Sequence, residues 1–87
     1  MALALFDSVA TLQPIDAARL TLVEPFERAA EQLARGQVGT VVDVVDQDES
    51  EQYLVEFADL EGREYAMAYL MESELLPLHY QFTAAYP

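Results

Sequence analysis

The sequence predicts a mostly-β domain: a small antiparallel barrel of five or six short strands, with one α-helix inserted at about residues 24–35. Three observations carry this. The run Val38 to Val45 (VGTVVDVV) is rich in β-branched residues, and Gln52 to Ala58 (QYLVEFA) alternates with a period of two. The links between such runs are short and rich in turn residues, so neighbours in sequence pair antiparallel. With 87 residues, 53% of them apolar, the chain is long enough for one domain (1–87) with a small core, and too apolar for a disordered tail.

The elements follow in order. Phe6 to Leu12 (FDSVATL) reads as a first strand. Gln13-Pro14-Ile15-Asp16 turns the chain, because proline cannot donate to a ladder. Arg19 to Val23 (RLTLV) alternates and reads as a second strand. Glu24 to Arg35 (EPFERAAEQLAR) reads as the inserted helix, part of a longer insertion over 16–35. Pro25 fits the first helical position, Phe26, Ala29, Ala30 and Leu33 share a face, and Glu31 precedes Arg35 by four. Gly36 stands where a left-handed residue belongs. After the strand 38–45, Asp46 to Glu51 (DQDESE) reads as a charged loop. In the following strand Tyr53, Val55 and Phe57 share one face, and Tyr53 and Phe57 belong to the core. Asp59 to Gly62 is a turn with Gly62 able to take positive φ. Arg63 to Leu70 returns as a strand whose inward set is either Tyr65, Met67 and Tyr69 or Ala66, Ala68 and Leu70. Glu72 to Leu75 is one tight helical turn, and beyond Pro77 the segment Leu78 to Phe82 reads as a last edge strand. The barrel thus spans 6–82 and residues 83–87 form a frayed tail.

A helical turn before the last strand is a habit of SH3-like barrels. The pattern Arg35-Gly36-Gln37-Val38-Gly39-Thr40-Val41-Val42, then Tyr53-Leu54-Val55-Glu56-Phe57, then Asp59, Gly62 and Arg63, resembles the bacterial family catalogued as domain of unknown function 4926 (DUF4926). The Gly-x-Val-Gly-Thr-Val core also resembles KOW-type barrels and the barrel domain of nitrile hydratase β subunits. The segment Ile15 to Ala34 is longer than the link usual in the DUF4926 family. The resemblance implies a fold and no established activity.

Charge narrows the function classes. Sixteen acids stand against four bases, all arginine (Arg19, Arg28, Arg35, Arg63), for a net charge of −12. Residues 43–87 hold eleven of the acids and only Arg63. Nucleic acids and anionic membrane surfaces are therefore disfavoured as partners. A basic protein is favoured, chiefly through its association rate. Homo-oligomerisation stays open. No apolar run approaches a membrane span, Met1 to Phe6 is too short for a signal core, and cysteine is absent. These features agree with the cytoplasm and exclude disulfides and thiolate metal sites.

The residues offer little chemistry. An EF-hand loop starting at Asp46 would need glycine sixth and an acid twelfth; Glu51 and Phe57 stand there, which leaves a weak cation site at best. His79 is the only histidine, and none of Ser8, Ser50 and Ser73 sits in a Gly-x-Ser-x-Gly setting. Neighbouring acids such as Glu72 and Glu74, or Asp59 and Glu61, arise by chance among sixteen. Gly36 and Gly39 lack the lysine of a phosphate loop and serve turn geometry and a close backbone crossing. No catalytic, cofactor or metal-binding residue is assigned, and an enzyme is not expected. The expected function is a non-enzymatic protein-interaction module, of antitoxin or immunity type masking a basic partner. The alternative is a structural or assembly subunit of an enzyme. The expected partner-binding residues are Asp46, Asp48, Glu49 and Glu51 for steering, with Tyr80, Phe82 and Tyr86 as aromatic anchors.

Overall fold

The computed structural model describes residues 3–23, 32–47 and 50–79. Eight strands appear in them: β1 (Ser8–Thr11), β2 (Ile15–Asp16), β3 (Thr21–Leu22), β4 (Gln32–Leu33), β5 (Val38–Gln47), β6 (Ser50–Ala58), β7 (Glu64–Met71) and β8 (Leu75–Leu78). Two single 3₁₀ turns, Ala17–Arg19 and Glu72–Glu74, precede β3 and β8. The main sheet has six strands in the order β3-β7-β6-β5-β1-β8, and β2 pairs with β4 in a separate ladder. All pairs are antiparallel. The mostly-β antiparallel architecture is therefore as expected. The barrel is not closed: among the described residues β3 and β8 are the two edges of the sheet and no ladder joins them.

The core lies on one face of this sheet. Tyr53, Val55 and Phe57 of β6 are fully buried there with Val9, Val41 and Leu70. The open choice in β7 resolves to Ala66, Ala68 and Leu70. The reason is volume: Ala66 stands opposite Phe57 and Ala68 opposite Val55, so small side chains face large ones and the layer fills without overlap. Gly39 lies between Val9 and Phe57 in the pairing, and a Cβ there would stand 2.6 Å from Val55 Cγ1 and 2.9 Å from the Glu56 carbonyl oxygen. Its expected role in a close backbone crossing is met.

The small β2–β4 ladder covers the core from the other side. Ile15 pairs with Leu33, and both are buried in the central cluster, each contributing about 1.5–3 kcal/mol of apolar burial. This corrects two expectations. Ile15 and Asp16 form a strand and are not part of a turn. The helix expected over 24–35 does not extend to its end: Gln32–Leu33 is a strand and Arg35 and Gly36 form a turn. Strand pairing wins because it buries Leu33 against Ile15 while satisfying its backbone. The rest of that expected helix, 24–31, lies outside the described residues. Gly36 does adopt the left-handed conformation, at φ 86°, in the turn leading to β5. The turn is tied to Thr11, which is buried. Gly36 N–H donates to the Thr11 carbonyl (2.7 Å), Gln37 N–H donates to Thr11 Oγ1 (3.0 Å), and Oγ1 donates to the Ala34 carbonyl (2.9 Å).

Two further boundaries move. Asp46 to Glu51 is not a free loop: β5 runs to Gln47 and β6 starts at Ser50, with Asp46 opposite Glu51. Backbone pairing extends through the charged stretch because both carboxylates are exposed to water, which screens their repulsion. The last strand among the described residues is Leu75–Leu78, which includes Pro77 opposite Val9, so the chain is already paired before the expected start at Leu78; residues 80–82 of the expected strand Leu78 to Phe82 lie outside the described residues. Proline is tolerated because β8 is an edge strand.

Candidate functional site

Three polar clusters decorate this scaffold. The first is the far end of the β5–β6 hairpin. Asp46 and Glu51, two of the expected partner-binding residues, face each other across it and are exposed. Glu51 also has an internal role. The hydroxyl of buried Tyr53 donates to Glu51 Oε1 (2.5 Å) and accepts from the Leu3 N–H (3.2 Å), pinning the start of the described chain to the sheet. Burial and the neighbouring carboxylate hold the Tyr53 phenol above its ordinary range. Asp48 and Glu49, and the expected anchors Tyr80, Phe82 and Tyr86, lie outside the described residues. His79 is exposed just beyond β8.

The second cluster is structural. Arg19 Nη1 donates to Glu74 Oε2 (2.6 Å) and its Nη2 to Glu74 Oε1 (3.0 Å) and to the Tyr69 carbonyl (3.1 Å). Met71 N–H also donates to Glu74 Oε1 (2.9 Å). The hydrogen bond from Arg19 holds the Glu74 carboxyl below its usual range, against the opposing effect of burial. A depressed carboxylate contributes stability that is fully present above its unfolded value, about 4.3, and is lost as pH falls through the lower folded value. Glu74→Gln is therefore expected to cost about 1–2 kcal/mol near neutral pH. Urea unfolding at a series of pH values checks this: the gap to the parent chain should shrink under acid, and a gap independent of pH would remove the ion-pair explanation.

The third cluster sits on the outer face of the sheet. Glu56 pairs with Thr40 and Met67, and Glu64 pairs with Ala58 across a bulge that adds one residue to β7. The register puts Glu56 and Glu64 on the same outer face. Glu64 Oε2 is out of contact with water and accepts no hydrogen bond. Loss of water, then the charge of Glu56, and then a hydrogen bond between the two carboxyls raise the Glu64 carboxyl above its usual range. Nothing in the sequence pattern singled out this pair, because its proximity depends on a bulge. A nearby turn is better satisfied. Asp59 accepts from the N–H groups of Glu61 and Arg63 and from Arg63 Nε, which lowers its carboxyl, while Gly62 takes φ 81° as expected. Among the described residues no group of three or more acids and histidines converges to hold a metal.

Exposed apolar side chains share this outer face. Val38, Tyr69, Met71 and Leu76 project from the outer positions of the sheet and are 42 to 50% exposed. Next to Val38 and Ala58 an open recess of about 750 Å³ is lined also by Leu60 and Tyr65. Phe6, 75% exposed, takes φ 69° where its N–H and the Asp7 carbonyl both bond Val41. Two residues opposing one is a bulge, and its first position accepts the left-handed backbone that a bulky residue otherwise avoids.

The profile of the family described as Domain of unknown function (DUF4926) matches residues 5–77, from before β1 into β8. The chain belongs to the DUF4926 family. The match runs through the long segment between β1 and the glycine motif, so that segment falls within the family's domain. No curated protein and no solved structure gives a significant match. For this DUF4926 chain the family membership carries no activity, and the functional reading rests on the surface just described.

Proposed function

We propose that this DUF4926 protein is a non-enzymatic protein-interaction module, acting as an acidic antitoxin or immunity-type protein that masks a basic partner. The observation that supports this reading is the coincidence of apolar and acidic surface. The charged residues at outward positions of the described strands in the main sheet's outer face are Asp43, Glu56 and Glu64, all acids, amid exposed Val38, Tyr69 and Leu76. Asp46 and Glu51 extend the negative potential to the hairpin end. Such a surface steers a basic protein in and then gains from apolar burial. The cytoplasm is the proposed compartment, in keeping with the absence of cysteine. Among the described residues no helix is long and apolar enough to cross a membrane.

The test is a pull-down from the host, eluted across a salt gradient, followed by kinetics with the captured protein. Reversing Asp48 and Glu49 to lysine is expected to slow association several-fold at low salt and to flatten its salt dependence. An unchanged on-rate would remove electrostatic steering by the hairpin. The second reading, a permanent accessory subunit of an enzyme, draws on the same exposed apolar residues. It predicts a partner that stays bound at high salt.

A further inference from the structure

The outer sheet face holds one feature that charge steering alone does not use. Glu64 pairs with Ala58, whose neighbours on that face are the recess beside Val38 and the Glu56 carboxylate two residues earlier on β6. In the free chain this arrangement is unfavourable. Glu64 Oε2 has lost its water and has no donor in exchange. Two carboxylates side by side repel unless a proton or a cation lies between them. The arginines placed by contacts are engaged elsewhere, Arg19 on Glu74 and Arg63 on Asp59 and Glu61. What is missing is a cation carrying apolar neighbours, because exposed Tyr69 lies one row from Glu56 on the adjoining strand and exposed Val38 lies beside Ala58, the partner of Glu64.

We infer that the outer face docks an apolar segment of a basic partner protein, one arginine or lysine of which seats between Glu56 and Glu64 while an adjacent apolar side chain fills the recess beside Val38 and Leu60. This rests on the interaction-module reading and adds the site and the chemistry. Charge complementarity selects the occupant. A second copy of the chain would bring the same acids to the same face at a net charge of −12, and a nucleic acid would bring phosphates. A guanidinium fits best, since its forked donors serve two carboxylates at once.

The proposal predicts opposite signs for binding and stability. A random 12-residue peptide library displayed on phage is selected against the full chain, and the strongest peptide is synthesised and titrated calorimetrically. Selected peptides should share one arginine or lysine flanked by apolar residues. Glu56→Gln with Glu64→Gln should weaken the peptide at least tenfold, yet raise the urea midpoint of the free chain near neutral pH. Selected peptides without a basic residue, or binding indifferent to the double variant, would overturn the site. So would a fall in the urea midpoint, which would make the pair a structural element. Peptides lost on reversal of Asp48 and Glu49 but kept by the double variant would move the interface to the hairpin, leaving the broader reading intact. No enrichment at all would sink both. A dimer in sedimentation at tens of micromolar that the double variant dissolves would assign the face to a second copy and overturn the heterologous partner.

Discussion

Phe57→Ala is expected to lower the unfolding free energy by about 3–5 kcal/mol. Phe57 is fully buried between Gly39 on β5 and Ala66 on β7, and neither neighbour has a side chain that can swing into the vacated space. A domain of this length is stable by on the order of 4–13 kcal/mol in total, so the loss removes a large share and in the lower range unfolds the chain. Urea denaturation followed by circular dichroism reads it as a lower midpoint at an unchanged slope. A loss below about 1 kcal/mol would contradict the placement of Phe57 at the centre of the core.

Gly39→Ala is expected to cost about 1–3 kcal/mol or more by overpacking. Here the obstacle is space. The added Cβ meets Val55 Cγ1 and the Glu56 carbonyl oxygen, and the second contact is backbone in the central hairpin, which can yield only by shifting a ladder. Two comparisons isolate the cause. Gly36→Ala meets no atom within 4 Å but must hold φ 86°, so its cost of about 1 kcal/mol is conformational. Val55→Ala removes the nearest of three obstacles, the others being the Glu56 carbonyl oxygen and Phe57 Cδ1, so the double variant Gly39→Ala/Val55→Ala should be less destabilised than the sum of its parts. Strict additivity in that cycle would rule out the steric explanation.

These two residues also show what the sequence made legible. Tyr53, Val55 and Phe57 alternate with polar neighbours in a long strand, so their shared burial follows from a period of two. Gly39 and Gly62 announce a close crossing and a turn, the first because a side chain there would clash and the second because its positive φ favours glycine. The β2–β4 ladder was not legible, because two residues carry no period and Leu33 falls equally well on a helical face. The inward face of β7 could not be chosen by hydrophobicity, since both candidate sets are apolar; the volume of Phe57 and Val55 across the ladder decides it. Charge suggested a loop at Asp46 to Glu51, whereas hydrogen bonding of the hairpin backbone continues beneath exposed carboxylates. The Glu56–Glu64 pair lies eight positions apart in sequence and meets only through a one-residue irregularity between Phe57 and Ala58, which no composition rule foretells. Glu64 differs from Glu74 in the sense of its proton linkage. Glu74 stabilises the fold most when ionised, whereas the raised Glu64 contributes stability below the unfolded carboxylate range that is lost as pH rises through its folded value.

The open sheet has a consequence for the solution behaviour of the protein. A sheet that fails to close leaves two rows of backbone groups able to template cross-β growth. Each edge here is blunted. On one side β3 covers only Met67 and Ala66 of β7, and Arg19 occupies the Tyr69 carbonyl that an incoming strand would need. On the other, Pro77 removes a donor from the middle of β8. The same guanidinium that fastens Glu74 thus also acts as a gatekeeper, and the chain combines an unclosed ladder with edges ill suited to fibre formation.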